Sequence, residues 1–188
     1  MPKQKINSSG VEILNATQIL KEILKITNGK VVADLGAGVS AYFTIESAKL
    51  VGDQGQVYAI DIVKDILSAI DSKAKMAGLY NIKTVWSNLE MVGAAKIKND
   101  SLDFALLVNT LFQSKKQPEM IAEASRLLKK GGKLLIIDWS DTAPAFSPPE
   151  ELQVDKKLIS DTTIQLDMEL EKDFQAGPYH FGLIFIKK

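Results

Sequence analysis

The sequence predicts an α/β fold built on a mostly parallel sheet, and three observations predict it. Short apolar, β-branched segments alternate with segments of helical spacing through the first 140 residues. The first apolar segment of this series runs directly into a tight turn at Gly36 and Gly38. Near the end, residues 181–186 are almost continuously apolar, the composition of a strand covered on both faces. Such alternation implies right-handed crossovers, with helices on both sides of the sheet.

The strands are expected at residues 30–35, 56–61, 82–86, 102–108 and 133–139. Between them lie three helical stripes. Ile19, Leu20, Ile23, Leu24 and Ile26 form the first, and Ile66, Leu67, Ile70, Ala74 and Ala77 the second. Met120, Ile121, Ala124, Leu127 and Leu128 form the third. Gly29 and Gly78 follow helices, and Gly131-Gly132 is expected to close the third stripe before the next strand. A helix should begin near Tyr42. Residues 140–149 hold three of the six prolines and read as an irregular loop, followed by a short helix over 149–160. Residues 164–170 alternate apolar and polar, as an edge strand does, and pair with 181–186 through turn chemistry at Gly177-Pro178.

Composition excludes several functions. At 46 % hydrophobic and 24 % charged residues, the chain can bury a core and is not disordered throughout. Its 23 basic and 23 acidic side chains supply no general field for a polyanion, so no nucleic-acid partner is expected. Without cysteine there is no disulfide framework, thiolate metal site or thiol nucleophile, and no metal site is expected. No apolar run approaches the roughly 18 residues of a membrane span, and the polar start MPKQKINSSG lacks the apolar segment of a secretory signal. One soluble, cytoplasmic domain over residues 1–188 is the expectation.

The most informative stretch is VVADLGAGVSA, residues 31–41. Gly36 and Gly38 let the backbone turn sharply and approach a ligand. Asp61, 25 residues after Gly36, closes the second strand where a carboxylate can accept hydrogen bonds from ribose hydroxyls. GAGVSA also fits the dinucleotide fingerprint, which keeps NAD as a rival. Asp34 argues against it, because a carboxylate beside the loop repels a pyrophosphate on the helix N-terminus. The same carboxylate suits S-adenosylmethionine, which carries an ammonium and a sulfonium and no phosphate. No tyrosine has lysine four residues later, so the pair used by short-chain reductases is missing.

DLGAGVS resembles the first motif of class I S-adenosylmethionine-dependent methyltransferases, commonly D-x-G-x-G-x-G. The resemblance continues in order through AKLVGDQGQVYAID, SLDFALLVNTLF and EASRLLKKGGKLLIIDW. GPYHFGLIFIKK is similar to the closing hairpin of the ubiquinone/menaquinone-biosynthesis type. This likeness, over roughly residues 12–188, implies a Rossmann-like three-layer sandwich. Its seven-stranded sheet would run 3-2-1-4-5-7-6, with the last strand antiparallel. Ser40 stands where the family has its third glycine, and its hydroxyl suits a helix cap.

The resemblance also implies roles. Asp34, Gly36 and Gly38 would surround the methionine part of the cofactor, Asp61 would hold the ribose, and Ile62 would pack on the adenine. Asn88 and Leu89 would read the adenine amino group, and Asn109 would stand near the reactive methyl. Ligands of such sheets lie beyond the carboxyl ends of the parallel strands. That edge would bring Thr110, Phe112, Trp139, Ser140, Asp141, Tyr179 and His180 to the acceptor pocket, with His180, the only histidine, as the acid–base or orienting residue. The N-terminal segment and residues 140–149 would cover the site.

Methyl transfer to a small molecule is thus the leading reading. A non-catalytic S-adenosylmethionine-binding protein is the second, and an NAD(P)-dependent reductase the third. Methylation of arsenic, which relies on cysteine thiols, is excluded on this chain's composition. The acceptor and oligomeric state are not legible.

Overall fold

A computed structural model describes residues 14–140 and 147–188. Seven strands form one sheet: β1 Val31–Leu35, β2 Gln56–Asp61, β3 Ile82–Trp86, β4 Leu102–Val108, β5 Leu128–Trp139, β6 Met168–Gly177 and β7 His180–Lys187. Their order is β3-β2-β1-β4-β5-β7-β6, as expected. β1 pairs in parallel with β2 and β4, β2 with β3, and β4 with β5. β7 is antiparallel to both β5 and β6.

Alternate residues of the same strands feed two cores. On one face Ala33, Ala105, Leu134, Ile136, Leu183 and Phe185 meet Ile121 and Ala124 of α4 (Gln117–Leu127) and Ile159 of α5 (Lys156–Gln165). On the other, Val32, Leu106, Leu135, Ile137 and Ile184 meet Phe43, Ala48 and Val51 of α2 (Tyr42–Val51). Leu20 of a π-turn (Ile19–Ile23) that continues α1 (Ala16–Gln18) joins them. α3 (Lys64–Met76) packs Ile70 against Ala41 and Ala59. Burial on both faces explains why the inner strands read as unbroken apolar runs. Among the described residues, no helix is long and apolar enough to cross a membrane.

Four local readings need correction. Residues 164–170 are not one strand. Ile164 and Gln165 finish α5, Asp167 turns with φ +58°, and β6 starts at Met168. The helix wins because Asp155 caps it, accepting from the backbone N–H of Lys157 and Leu158, and because Ile159 and Thr163, four apart, face the core. It therefore runs later than 149–160, where a short 3-10 turn (Glu150–Leu152) stands. β5 begins at Leu128 and includes Gly131-Gly132, since Leu128 already pairs with Leu102. Ser40 does not cap α2. Ala41 occupies that position at φ +53°, and no side chain caps the helix. The expected cover lies partly outside the described residues, as do residues 1–13, Asp141 and the rest of 141–146.

Candidate functional site

β1, β4 and β5 end together at the carboxyl edge of the sheet, and two cavities flank the glycine turn there. The turn is built for close approach. Gly36 and Gly38 adopt φ +83° and +63°, and a Cβ on Gly36 would collide with the Thr110 methyl. Gly36 and Ala37 donate their N–H groups to the carbonyl of Ile60, which binds the turn to β2.

The first cavity, about 310 Å3, is lined by Asp61, Ile62, Ser87, Asn88, Leu89 and Gln113 among others. Asp61 accepts from the backbone N–H of Gly38 at 3.1 Å and of Val63 at 2.9 Å, one through each oxygen. Each oxygen retains a lone pair for a further donor. Asn88 accepts from the Glu90 N–H at 2.9 Å, a local turn that leaves its amide donors available. Ser87 is buried, and its hydroxyl has no partner among the described residues.

The second cavity, about 520 Å3, is lined by Asp34, Asn109, Gln113, Tyr42, Phe43 and Trp139 among others. Asp34 is 3 % exposed and accepts from the Thr44 hydroxyl at 2.6 Å. Burial pushes its carboxyl up to about 6, the Thr44 donors oppose the shift, and the Asp61 charge adds to it. Asn109 takes a left-handed conformation, φ +52°, and its buried Oδ1 has no partner among the described residues. Gln113 reaches both cavities and donates to the Asn109 carbonyl at 2.7 Å.

None of the described residues lining either cavity is Lys, Arg or His, whereas Asp34, Asp61 and Glu90 are all acidic. A pyrophosphate would meet Asp34 and Asp61, neither of which has an ion-pair partner among the described residues. A ligand with an ammonium and a sulfonium would meet a buried carboxylate lacking a cation and an orphaned amide oxygen. The donor set fits S-adenosylmethionine.

All eight expected cofactor residues line one or both cavities, except that Leu89 also belongs to the core. The acceptor residues separate. Trp139 lines the second cavity. Thr110 instead lies under Gly36 on the first, held by bonds to the carbonyls of Leu35 and Val108 at 3.1 Å. Phe112 packs on the core, its N–H donated to Asp138 at 3.3 Å. Tyr179 sits in the β6–β7 turn, its carbonyl accepting from the Ser140 N–H at 2.9 Å. His180 pairs with Trp139 across β5 and β7, its ring 4.3 Å from that of Trp139, but it lines a different cavity. Sequence reasoning missed Ser87 and Gln113. Ser87 directly follows β3 at the ligand edge, a position that could have flagged it.

Residues 26–176 match the family described as a methyltransferase domain, and the chain belongs to that family. It is 32 % identical to the human arsenite methyltransferase (Homo sapiens) over 135 residues, 68 % of this chain and 34 % of that protein. It is 31 % identical to the ubiquinone/menaquinone biosynthesis C-methyltransferase of Marinomonas sp. over 113 residues, 60 % of this chain and 43 % of that protein. The chain thus spans between a third and a half of the length of these curated relatives. A SAM-dependent methyltransferase from Aquifex aeolicus shares the fold with TM-score 0.85 at 23 % identity, over 97 % of this chain and 94 % of that one.

Proposed function

We propose that the chain binds S-adenosylmethionine across the two cavities and transfers its methyl group to a small-molecule acceptor. One observation carries this reading. Asp34 is a buried carboxylate with no ion-pair partner among the described residues, lining the same cavity as the orphaned Asn109 Oδ1. Burying such a charge alone is expensive, so a cationic ligand is what stabilises it.

Asp34 and Asn109 would hold the ammonium end, and Asp61 would accept from the ribose hydroxyls. Ile62 and Leu89 would pack on the adenine, while Ser87 and Asn88 would hydrogen-bond at its side of the turn. When bound, the sulfonium supplies an activated methyl, so the difficult chemistry belongs to the ligand. The protein's contribution is alignment and exclusion of water. Trp139, Tyr42 and Phe43 give the second cavity apolar walls for an acceptor. No general base is required unless the acceptor must lose a proton.

The name of the Marinomonas relative supports a small-molecule acceptor. Arsenite is disfavoured despite the human relative, because arsenic(III) is thiophilic and this chain has no cysteine. The test is transfer of radiolabelled methyl from S-adenosylmethionine into small-molecule extracts and, separately, protein extracts, with mass spectrometry of the product. Label appearing only in protein would overturn the small-molecule assignment. Label in neither, with tight cofactor binding, would make the chain a binding protein.

A further inference from the structure

Where β7 begins lies a groove of about 320 Å3 that shares no lining residue with the two cofactor cavities. Its walls include Ser140, Phe174, Phe181 and His180. His180 is 1 % exposed, and neither ring nitrogen has a hydrogen-bond partner among the described residues. Its ring lies 4.3 Å from that of Trp139, centroid to centroid. The Phe174 ring crowds Gly182, where any Cβ would collide with it. The groove therefore sets two phenylalanine rings beside Ser140, Gln175, His180 and the Lys156–Asp173 pair.

Two unsatisfied buried nitrogens weaken the fold by about 1–3 kcal/mol each. A residue kept only for packing would be better served by Phe or Leu. No described residue supplies that partner, and the groove narrows the chemistry of a ligand that would. Burial holds the imidazole down to about 4, so near neutral pH it offers one N–H donor and one acceptor. Either function can pair with a hydroxyl, one nitrogen to each hydroxyl. Anions are disfavoured, because Lys156 at the rim is paired with Asp173 at 2.7 Å and leaves no net charge. A metal is disfavoured too, since no group of three or more His, Cys, Asp or Glu able to hold one occurs among the described residues.

We propose that this groove is a second small-molecule site, binding an uncharged ring that carries a hydroxyl, with His180 as the hydrogen-bonding partner of that hydroxyl. The volume lies within the range of small-ligand pockets. The groove is distinct from the cofactor cavities, since it shares no lining residue with them.

The single histidine makes the test direct. Tag-free protein labelled with nitrogen-15 in the imidazole gives signals from His180 alone. Phenol should shift them saturably, while toluene and benzoate should not. Followed by calorimetry, since this variant carries no imidazole, His180→Phe should weaken phenol binding by roughly two- to tenfold, as expected for one hydrogen bond, and remove the preference over toluene. His180→Phe and His180→Leu should unfold at the same temperature as the parent or higher, because each removes two unsatisfied groups. A lower unfolding temperature in both variants would make His180 a packing residue and overturn the proposal. So would equal shifts with phenol and toluene, no saturable shift, or undiminished phenol binding by His180→Phe.

Discussion

Replacing Asp34 by Asn should stabilise the free protein and abolish its ligand affinity together. In the unfolded chain the carboxyl titrates near 3.8, and in the folded chain near 6. The folded state therefore holds the proton more tightly, and stability falls as pH rises from about 4 to about 6. Above that window the loss is constant, and it amounts to about 3 kcal/mol for a rise of this size. Asn carries no charge and can still accept from the Thr44 hydroxyl through its Oδ1, so it escapes the penalty. At pH 7.5 the variant should melt higher by roughly 6–12 °C, given about 2–4 °C per kcal/mol in a chain of this length. At pH 4 the difference should vanish, since Asp34 is then protonated. Calorimetry of the same variant with S-adenosylmethionine should show the loss of affinity. A variant that melts at or below the parent at pH 7.5 would show that Asp34 is not an unpaired buried charge. Unaltered affinity would show that Asp34 does not hold the ligand.

Other substitutions separate the site's parts. Asp61→Ala should weaken S-adenosylmethionine binding by about 1.5–3 kcal/mol in calorimetry, the worth of a charge-assisted hydrogen bond. Ser87→Ala should leave the unfolding temperature unchanged or raised, because its hydroxyl is unpartnered, yet cut affinity by about 0.5–1.5 kcal/mol. Gly36→Ala should lower stability by on the order of 1–3 kcal/mol in denaturant titration, since φ +83° and the Thr110 methyl both oppose a Cβ. In the parent protein, affinity for S-adenosylmethionine should fall about tenfold per pH unit below pH 6 as Asp34 protonates, and a flat profile there would contradict this assignment.

The glycine turn was legible because its chemistry is local. An apolar strand, two glycines and a carboxylate at the next strand end need no distant partner to be recognised. The sheet order came from resemblance, and the apolar run in β7 independently required an interior place. What failed depended on context. Residues 164–170 alternate only because a helix end, a turn and a strand start follow one another, and the capping Asp155 outweighs that pattern. Thr110 follows β4 as expected, but its side chain turns under Gly36 because it hydrogen-bonds the Leu35 carbonyl 75 positions away in sequence. His180 reaches the ligand edge as its strand direction required. Which cavity it lines depends on how its ring packs near that of Trp139, which periodicity does not encode.

The central claim is that a pair of cavities lined by carboxylates, with no basic side chain among the described lining residues, takes a sulfonium nucleoside and not a dinucleotide. Calorimetric titration of the parent protein with S-adenosylmethionine and NADH in parallel tests it most directly. Saturable binding of S-adenosylmethionine, lost in Asp34→Asn, with no heat from NADH is the predicted result. Binding of NADH without binding of S-adenosylmethionine would contradict the account.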